Sequence, residues 1–234
     1  KDNLVRVTIP EGYELTHIAK RFAENNLVDE DRFLELAKNK NNFDGEFEFL
    51  EHLNNNQSLE GYLFPATYEV EPGQTEEEII LMMLKAFNYV YETEIKEKLN
   101  DSGMTLNEIV TLASIIEREG RLDEERPIMS SVFHNRIEKG MYLGSCATVQ
   151  YIIGERKPVL STQDTKIDSP FNTYINKGLP PSPIAAPGKV SIVAAVEPAD
   201  TDYLFFVLTG KDGSHTFTKT YEEHEKAKKN MIRE

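Results

Sequence analysis

The chain has 234 residues, 39% hydrophobic and 28% charged, the balance of a folded globular protein with room for one large domain or two smaller ones. Its 40 acidic residues outnumber 26 basic ones, and a formal charge of −14 with no basic patch argues against nucleic acid as a partner; the most basic run, "HEKAKKN", reads as a solvated helix face. No run of ~18 apolar residues is present to span a membrane, the opening "KDNLVRVTIP" is not a signal peptide, and the single Cys146 excludes an intrachain disulfide framework or a multi-cysteine zinc site.

Residues 4–9, "LVRVTI", alternate as a strand, and "PEG" ends the run. The spacing of Leu15, Ile18, Ala19 and Phe22 predicts an amphipathic helix, and Asp29 caps a second one carrying Phe33, Leu34 and Ala37. The stretch "VTIPEGYELTHIAKRFAENNLV" resembles a LysM-type glycan-binding module. A structural subdomain without sugar contact has the same pattern, so both readings stand. We place this βαα unit in residues 1–55 and a second, larger domain in 56–234.

Residues 60–70, "EGYLFPATYEV", form an aromatic-rich extended segment interrupted by Pro65. A capping box of Thr75 and Glu78 opens a long helix with Ile79, Met82, Met83, Ala86, Phe87 and Val90 as its buried stripe; the methionines there read as core filling. A second box, Thr105 and Glu108, starts a helix at Leu106. Another helix, over about 123–139, carries Ile128, Met129, Val132, Phe133 and Ile137 and ends at Gly140. "CATVQYIIGE" is a short strand or a brief helix. "LPPSPIAAPG", with four prolines in ten residues, is an ordered loop or an extended segment. "KVSIVAAVEP" forms a short helix, "YLFFVLTGKDGSHTFTKT" a β-hairpin, and a last helix runs from about Tyr221. Helices and short strands mix without a βαβ repeat, which places the chain in the α+β class.

One residue breaks its pattern. On a helical wheel of residues 106–119, Leu106, Ile109, Val110, Ala113 and Ile116 share an arc, and Glu117 falls inside it, whereas Glu108 and Glu119 fall on the solvent side. A carboxyl among apolar neighbours resists ionising and serves as a proton donor of the kind glycoside cleavage requires. Alternatively, the side chain of a helix-end Glu escapes to water.

"LASIIEREG", together with "HNRIEKGMYLGSCATVQY", "SPFNTYINKGLPPSPIAAPG" and "GSHTFTKTYEEH", resembles the YceG-like endolytic murein transglycosylases in order and approximate separation, from about residue 5 to the end. The resemblance implies lytic cleavage of the β-1,4 bond between N-acetylmuramic acid and N-acetylglucosamine in nascent peptidoglycan, leaving 1,6-anhydro-muramoyl ends. It maps the catalytic acid/base onto Glu117 and needs no cofactor or metal. Asn135, Arg136, Gln150, Asn172 and Tyr174 are then candidates to hold sugar hydroxyls and acetamido groups, Tyr151 and Tyr62 to stack on rings, His215 to contact substrate, and Glu60 to orient substrate or Glu117. Each of these also fits capping, turn or core roles. Where many members carry an Asp before the Thr-Val pair, this chain has Ser145-Cys146-Ala147, and Cys146 is expected to be small and at least half-buried. Family members are usually tethered by an N-terminal membrane helix, so the chain is expected to be the extracytoplasmic portion in the bacterial envelope, acting on glycan strands beside wall-synthesis enzymes at the membrane.

Two rivals remain from the residues alone. Cys146 with His134 or His215 makes a thiol enzyme conceivable, although no nucleophile motif surrounds it. A non-catalytic glycan-binding scaffold is the other. A metal hydrolase is disfavoured because His17, His52, His134, His215 and His224 show no paired ligand spacing.

Overall fold

The computed structural model describes residues 3–232, an α+β arrangement of helices with two small antiparallel sheets. Strand β1 (Val5–Thr8) is followed by α1 (Leu15–Glu24) and α2 (Glu30–Ala37), the latter capped by Asp29, whose carboxylate accepts from Arg32 N at 2.8 Å. The partner of β1 is β2 (Thr67–Val70), in register Val5 to Val70. The N-terminal unit therefore closes with a strand well beyond residue 55, where the sequence reading ended it.

Next comes α3 (Glu76–Val90), with the Thr75–Glu78 capping box formed, continued by a π turn over Tyr91–Ile95. Its fully buried side chains are Ile79, Ile80, Met83, Leu84, Phe87 and Val90. Met82 and Ala86 are only partly buried, because α3 is covered from two sides and the stripe is wider and rotated relative to the expected one. A short α4 (Leu99–Ser102) leads to α5 (Leu106–Glu119), opened by the Thr105–Glu108 box and closed at Gly120. Helix α6 (Arg126–Glu138) follows, with Ile137 at the surface. "CATVQYII" is a helix, α7 (Cys146–Ile153), ended by Gly154 at φ +82°. Then α8 (Lys189–Val196) lies along α5, and β3 (Phe205–Leu208) and β4 (His215–Thr218) form the hairpin before α9 (Tyr221–Lys228). Among the described residues no helix is long and apolar enough to cross a membrane.

One core runs through both regions. Phe49, Tyr62, Phe87 and Tyr91 pack ring against ring, the tightest pair being Phe49–Phe87 at 4.8 Å between centroids. The Tyr62 hydroxyl donates to Asn107 Oδ1 at 2.9 Å, and Asn107 Nδ2 donates to Pro181 O at 2.8 Å, so the first turn of α5 gathers both the aromatic cluster and the proline-rich loop. That loop is a buried strap. Ile184 N donates to Ser114 Oγ at 3.1 Å, and two 2.8 Å backbone bonds, Gly12 N to Ala186 O and Ala186 N to Tyr13 O, join it to the N-terminal unit. Gly61, at φ +89°, makes room for it; a Cβ there would sit 2.3 Å from Pro183 Cβ.

Glu60, 5% exposed, lies under the start of α1, where Leu15 N donates to its two oxygens at 3.0 and 3.2 Å. The Tyr151 hydroxyl of α7 is 3.5 Å away. Burial pushes the Glu60 carboxyl from 4.5 up to about 8, the Leu15 hydrogen bond opposing this and the neighbouring Glu14 adding to it. The folded protein thus keeps a proton that the unfolded chain releases between pH 4.5 and about 8. Its contribution to stability is complete below pH 4.5 and is lost as pH rises to about 8, at up to ~1.4 kcal/mol per pH unit. Thermal melts across that range should show a clear fall in Tm with pH that Glu60→Gln flattens; identical slopes in the two proteins would contradict the assignment.

Candidate active site

Helix α5 ends in "IIEREG", and its two terminal acids face different surroundings. Glu117 Oε1 accepts from Gly188 N at 2.8 Å and Ser191 Oγ at 3.1 Å, while Oε2 lies 3.1 Å from Arg126 Nη2. Both side chains of this ion pair are only 9% exposed. Arg126 also donates through Nη1 to Ile116 O at 3.1 Å and Ser191 Oγ at 2.9 Å, and through Nε to Asp123 at 3.0 Å. The helical-wheel reading was right that Glu117 is withdrawn from water. Its neighbours, however, are donors rather than an apolar wall, and its oxygens already accept from a backbone N–H, a hydroxyl and a guanidinium. Glu117 borders a separate depression with Glu11, Asp123 and Lys189.

Glu119 lies two residues on, about 200° further around the helix, and half-buried rather than in open solvent. Its Oε1 accepts from Ser145 Oγ at 2.6 Å and Ala147 N at 3.4 Å, at the start of α7. Among the described residues no donor holds Oε2. Glu119 stands where two hollows of about 450 and 350 Å3 adjoin, sharing Glu119, Cys146, Leu208 and His215 as a common wall. The first continues past Arg118, Gln150, Arg156 and Lys157; the second past Arg136, Leu143 and Phe206. No other carboxylate lines either hollow among the described residues.

His215, at the start of β4, is fixed from behind by Glu125. Its Nδ1 is 2.8 Å from Glu125 Oε2, and its backbone N–H donates to both Glu125 oxygens at 2.9 and 3.1 Å. A carboxylate accepting there sets the proton on Nδ1. Arg136 braces the opposite wall through Nε to Leu204 O at 2.6 Å and Nη1 to Leu143 O at 2.7 Å. Gln150 bridges Arg118, which donates to it at 2.9 Å, and Lys157 O, to which it donates at 2.8 Å.

Of the residues singled out from the sequence, Arg136, Gln150 and His215 meet at this cleft, and Tyr174 supports it through its hydroxyl, 3.0 Å from Cys146 Sγ. Tyr151 lies behind the cleft, packed on Phe171 and beside Glu60. The others serve the fold. Tyr62 is wholly buried and offers no face to a sugar. Asn172, also buried, donates to Thr165 O and Ile167 O and accepts from Tyr174 N. Asn135 donates to Thr201 O and Tyr203 O. Glu60 is sealed beneath α1. Cys146 is exposed, against expectation, because α7 begins at the rim of the cleft. Desolvation there pushes its thiol up, and His134 is turned away, with Nε2 2.9 Å from Ala195 O, whereas His215 shares the cleft wall with it. Among the described residues no three His, Cys, Asp or Glu side chains gather as metal ligands.

The sequence reading sent Glu119 to solvent and did not single out Glu125, and both stand at the cleft. The signal for Glu119 was the pair of arginines, Arg118 and Arg121, flanking an acid just before a helix-ending glycine; the signal for Glu125 was absent, since its partner is 90 residues away.

A model of the YceG-like family matches residues 1–230. An endolytic murein transglycosylase of Bacillus subtilis (strain 168) is 38% identical over 237 residues, covering 97% of this chain and 65% of that protein. Another, of Streptococcus pneumoniae (strain ATCC BAA-255 / R6), is 33% identical over 245 residues, covering 95% of this chain and 44% of that protein. The chain therefore spans 65% and 44% of the lengths of these curated relatives. The crystal structure of a YceG-like protein from Listeria monocytogenes matches with a TM-score of 0.82 at 35% identity, over 94% of this chain and 75% of that one. The match to the family model over nearly the whole length, with a solved relative of the same fold, places the chain in the YceG-like family.

Proposed function

We propose that this chain cleaves the β-1,4 bond between N-acetylmuramic acid and N-acetylglucosamine within murein strands, with Glu119, rather than Glu117, as its single general acid/base. The observation that carries this reading is the position of Glu119 on the wall shared by two hollows, with one carboxyl oxygen held by no donor among the described residues. A polymer cut internally must extend to both sides of the acid, and the relatives named as endolytic murein transglycosylases support that substrate.

Hydrolysis of a glycoside normally uses a second carboxylate, to attack C1 or to activate water. Among the described residues the cleft presents one, Glu119. A lytic reaction needs no more: protonated Glu119 gives its proton to the glycosidic oxygen as the C1–O bond breaks. The resulting carboxylate then takes the proton of the muramoyl 6-hydroxyl as that oxygen bonds to C1. The products are a free 4-hydroxyl on N-acetylglucosamine and a 1,6-anhydro-muramoyl end; no water is consumed, and Glu119 is again protonated. Ser145 Oγ and Ala147 N hold one oxygen and so fix the direction of the other. On this reading the chain works outside the cytoplasmic membrane, where strands are being made and wall-synthesis enzymes are at hand.

Three substitutions separate the roles. Glu119→Gln should lower kcat by about 10²–10⁴-fold with an unchanged melt, and mass analysis of digests by the parent chain should find anhydro rather than reducing ends; wild-type release by the variant would sink the assignment. Glu117→Ala should instead act on stability, because it strands the buried Arg126 charge at a cost of about 3–5 kcal/mol, lowering Tm by roughly 10 °C. A Glu117→Ala protein as stable as the parent would show that the ion pair is not structural. Cys146→Ser should keep most of the activity, and a complete loss would revive the thiol mechanism.

A further inference from the structure

The first hollow is cationic, in a chain of net charge −14. Arg118, Arg121, Arg156 and Lys157 line it, and among the described residues Glu119 is its only lining carboxylate. Arg118 and Arg156 converge from α5 and from the loop after α7 onto Gly12, where a built Cβ would meet Arg118 Cδ at 3.6 Å and Arg156 Nη2 at 3.9 Å. Arg156 is anchored there by a 2.9 Å bond to Gly12 O, Arg118 by Gln150, and Lys157 sits 3.3 Å from Asp164. Desolvation and the neighbouring Arg156 both hold the Arg118 guanidinium below its ordinary range, the mark of like charges gathered at one place. Glu14, on the N-terminal side, is pushed up by burial, with Arg118 and Arg156 opposing the shift.

At ordinary ionic strength the Debye length is about 10 Å, so a ligand inside the cleft answers to these nearby charges rather than to the acidic exterior. Uncharged sugar rings give no reason to assemble them. The muramoyl residues of murein supply an anion: each lactyl group bears a short peptide that ends in a carboxylate, within one sugar of any bond that is cut. A lipid diphosphate occurs only at a strand end, far from most internal bonds.

We propose that the wall formed by Arg118, Arg156 and Lys157 is a subsite for the carboxylates of the peptides carried by the muramoyl residues. The proposal rests on murein being the substrate, and guanidinium groups suit it because they take carboxylates in a two-pronged grip. The subsite lets the enzyme distinguish peptide-bearing strands from bare glycan.

Binding by the Glu119→Gln protein tests this apart from cleavage. Its ligands are uncross-linked murein strands bearing peptides, the same strands with their carboxylates amidated, strands stripped of peptide by an amidase, and strands that retain a lipid diphosphate end. Native strands should bind about tenfold more tightly than amidated or stripped ones, the loss expected for one charge-assisted contact. Adding Arg156→Gln and Lys157→Gln should erase the difference, and Lys157→Gln alone, which leaves the Gly12 anchor intact, should reduce it. Equal binding of native and amidated strands would overturn the proposal, as would a preference that survives the substitutions or a response confined to diphosphate-bearing strands. If the parent chain cuts none of these strands, the proposed activity fails, while the binding ratio still reads the subsite.

Discussion

The buried pair of Glu117 and Arg126 is the constraint on which the rest of the site depends. It fastens three helices at one point. Arg126, at the start of α6, satisfies the carbonyl of Ile116 near the end of α5, and Glu117 accepts from Gly188 N at the start of α8 and from Ser191 one turn in. An uncompensated charge at 9% exposure would be costly, so each partner requires the other. With the end of α5 locked in this way, the next acid on the helix has no freedom of direction. Two residues further is a little over half a turn, and the same lock that buries Glu117 aims Glu119 into the cleft.

The cleft is thereby built largely on helices and a strand. Glu119 sits on α5, its orienting donors on the first turn of α7, His215 on β4 and Arg136 on α6. Glu125, which fixes His215, precedes α6 directly, so the helix that supplies Arg126 to the lock also supports the far wall of the cleft. A disturbance of α6 therefore reaches the site by two routes. Arg136 adds a third, since its guanidinium joins the Leu143 loop to the start of the hairpin.

How much of this the sequence made legible follows from range. The two capping boxes, the Asp29 cap, the start of α5 and the hairpin depend on residues a few positions apart, and each formed where its pattern lay. The α7 segment was ambiguous between strand and helix because eight largely apolar residues suit either until their neighbours are known. The stripe on α3 came out rotated for a related reason: Ile80 and Leu84 are buried by elements that periodicity does not reveal. At the site, the wheel found an acid that avoids water but could not supply Arg126, which comes from another helix. It also sent Glu119 to solvent, because the groups that shelter it, Ser145, Ala147 and His215, arrive from distant parts of the chain. Resemblance pointed to the helix, and the geometry around its two acids is the ground for proposing Glu119 over Glu117.

The sequence reading set the N-terminal unit apart as residues 1–55, and its contacts tie it to the cleft. Its sheet closes only with β2, and its core is continuous with that of α3 and α5. Gly12 receives Arg156, Tyr13 and Gly12 pair with the proline-rich strap, and the first turn of α1 rests on Glu60, which also meets Tyr151 of α7. Glu60 is better suited than an apolar residue to this junction. Its oxygens satisfy the otherwise orphaned Leu15 N–H, and its raised pKa leaves it neutral at the acid end of the physiological range, so the contact carries little buried charge. As pH climbs toward 8 the junction acquires a carboxylate beside Glu14, and the strain falls where α1 meets α7.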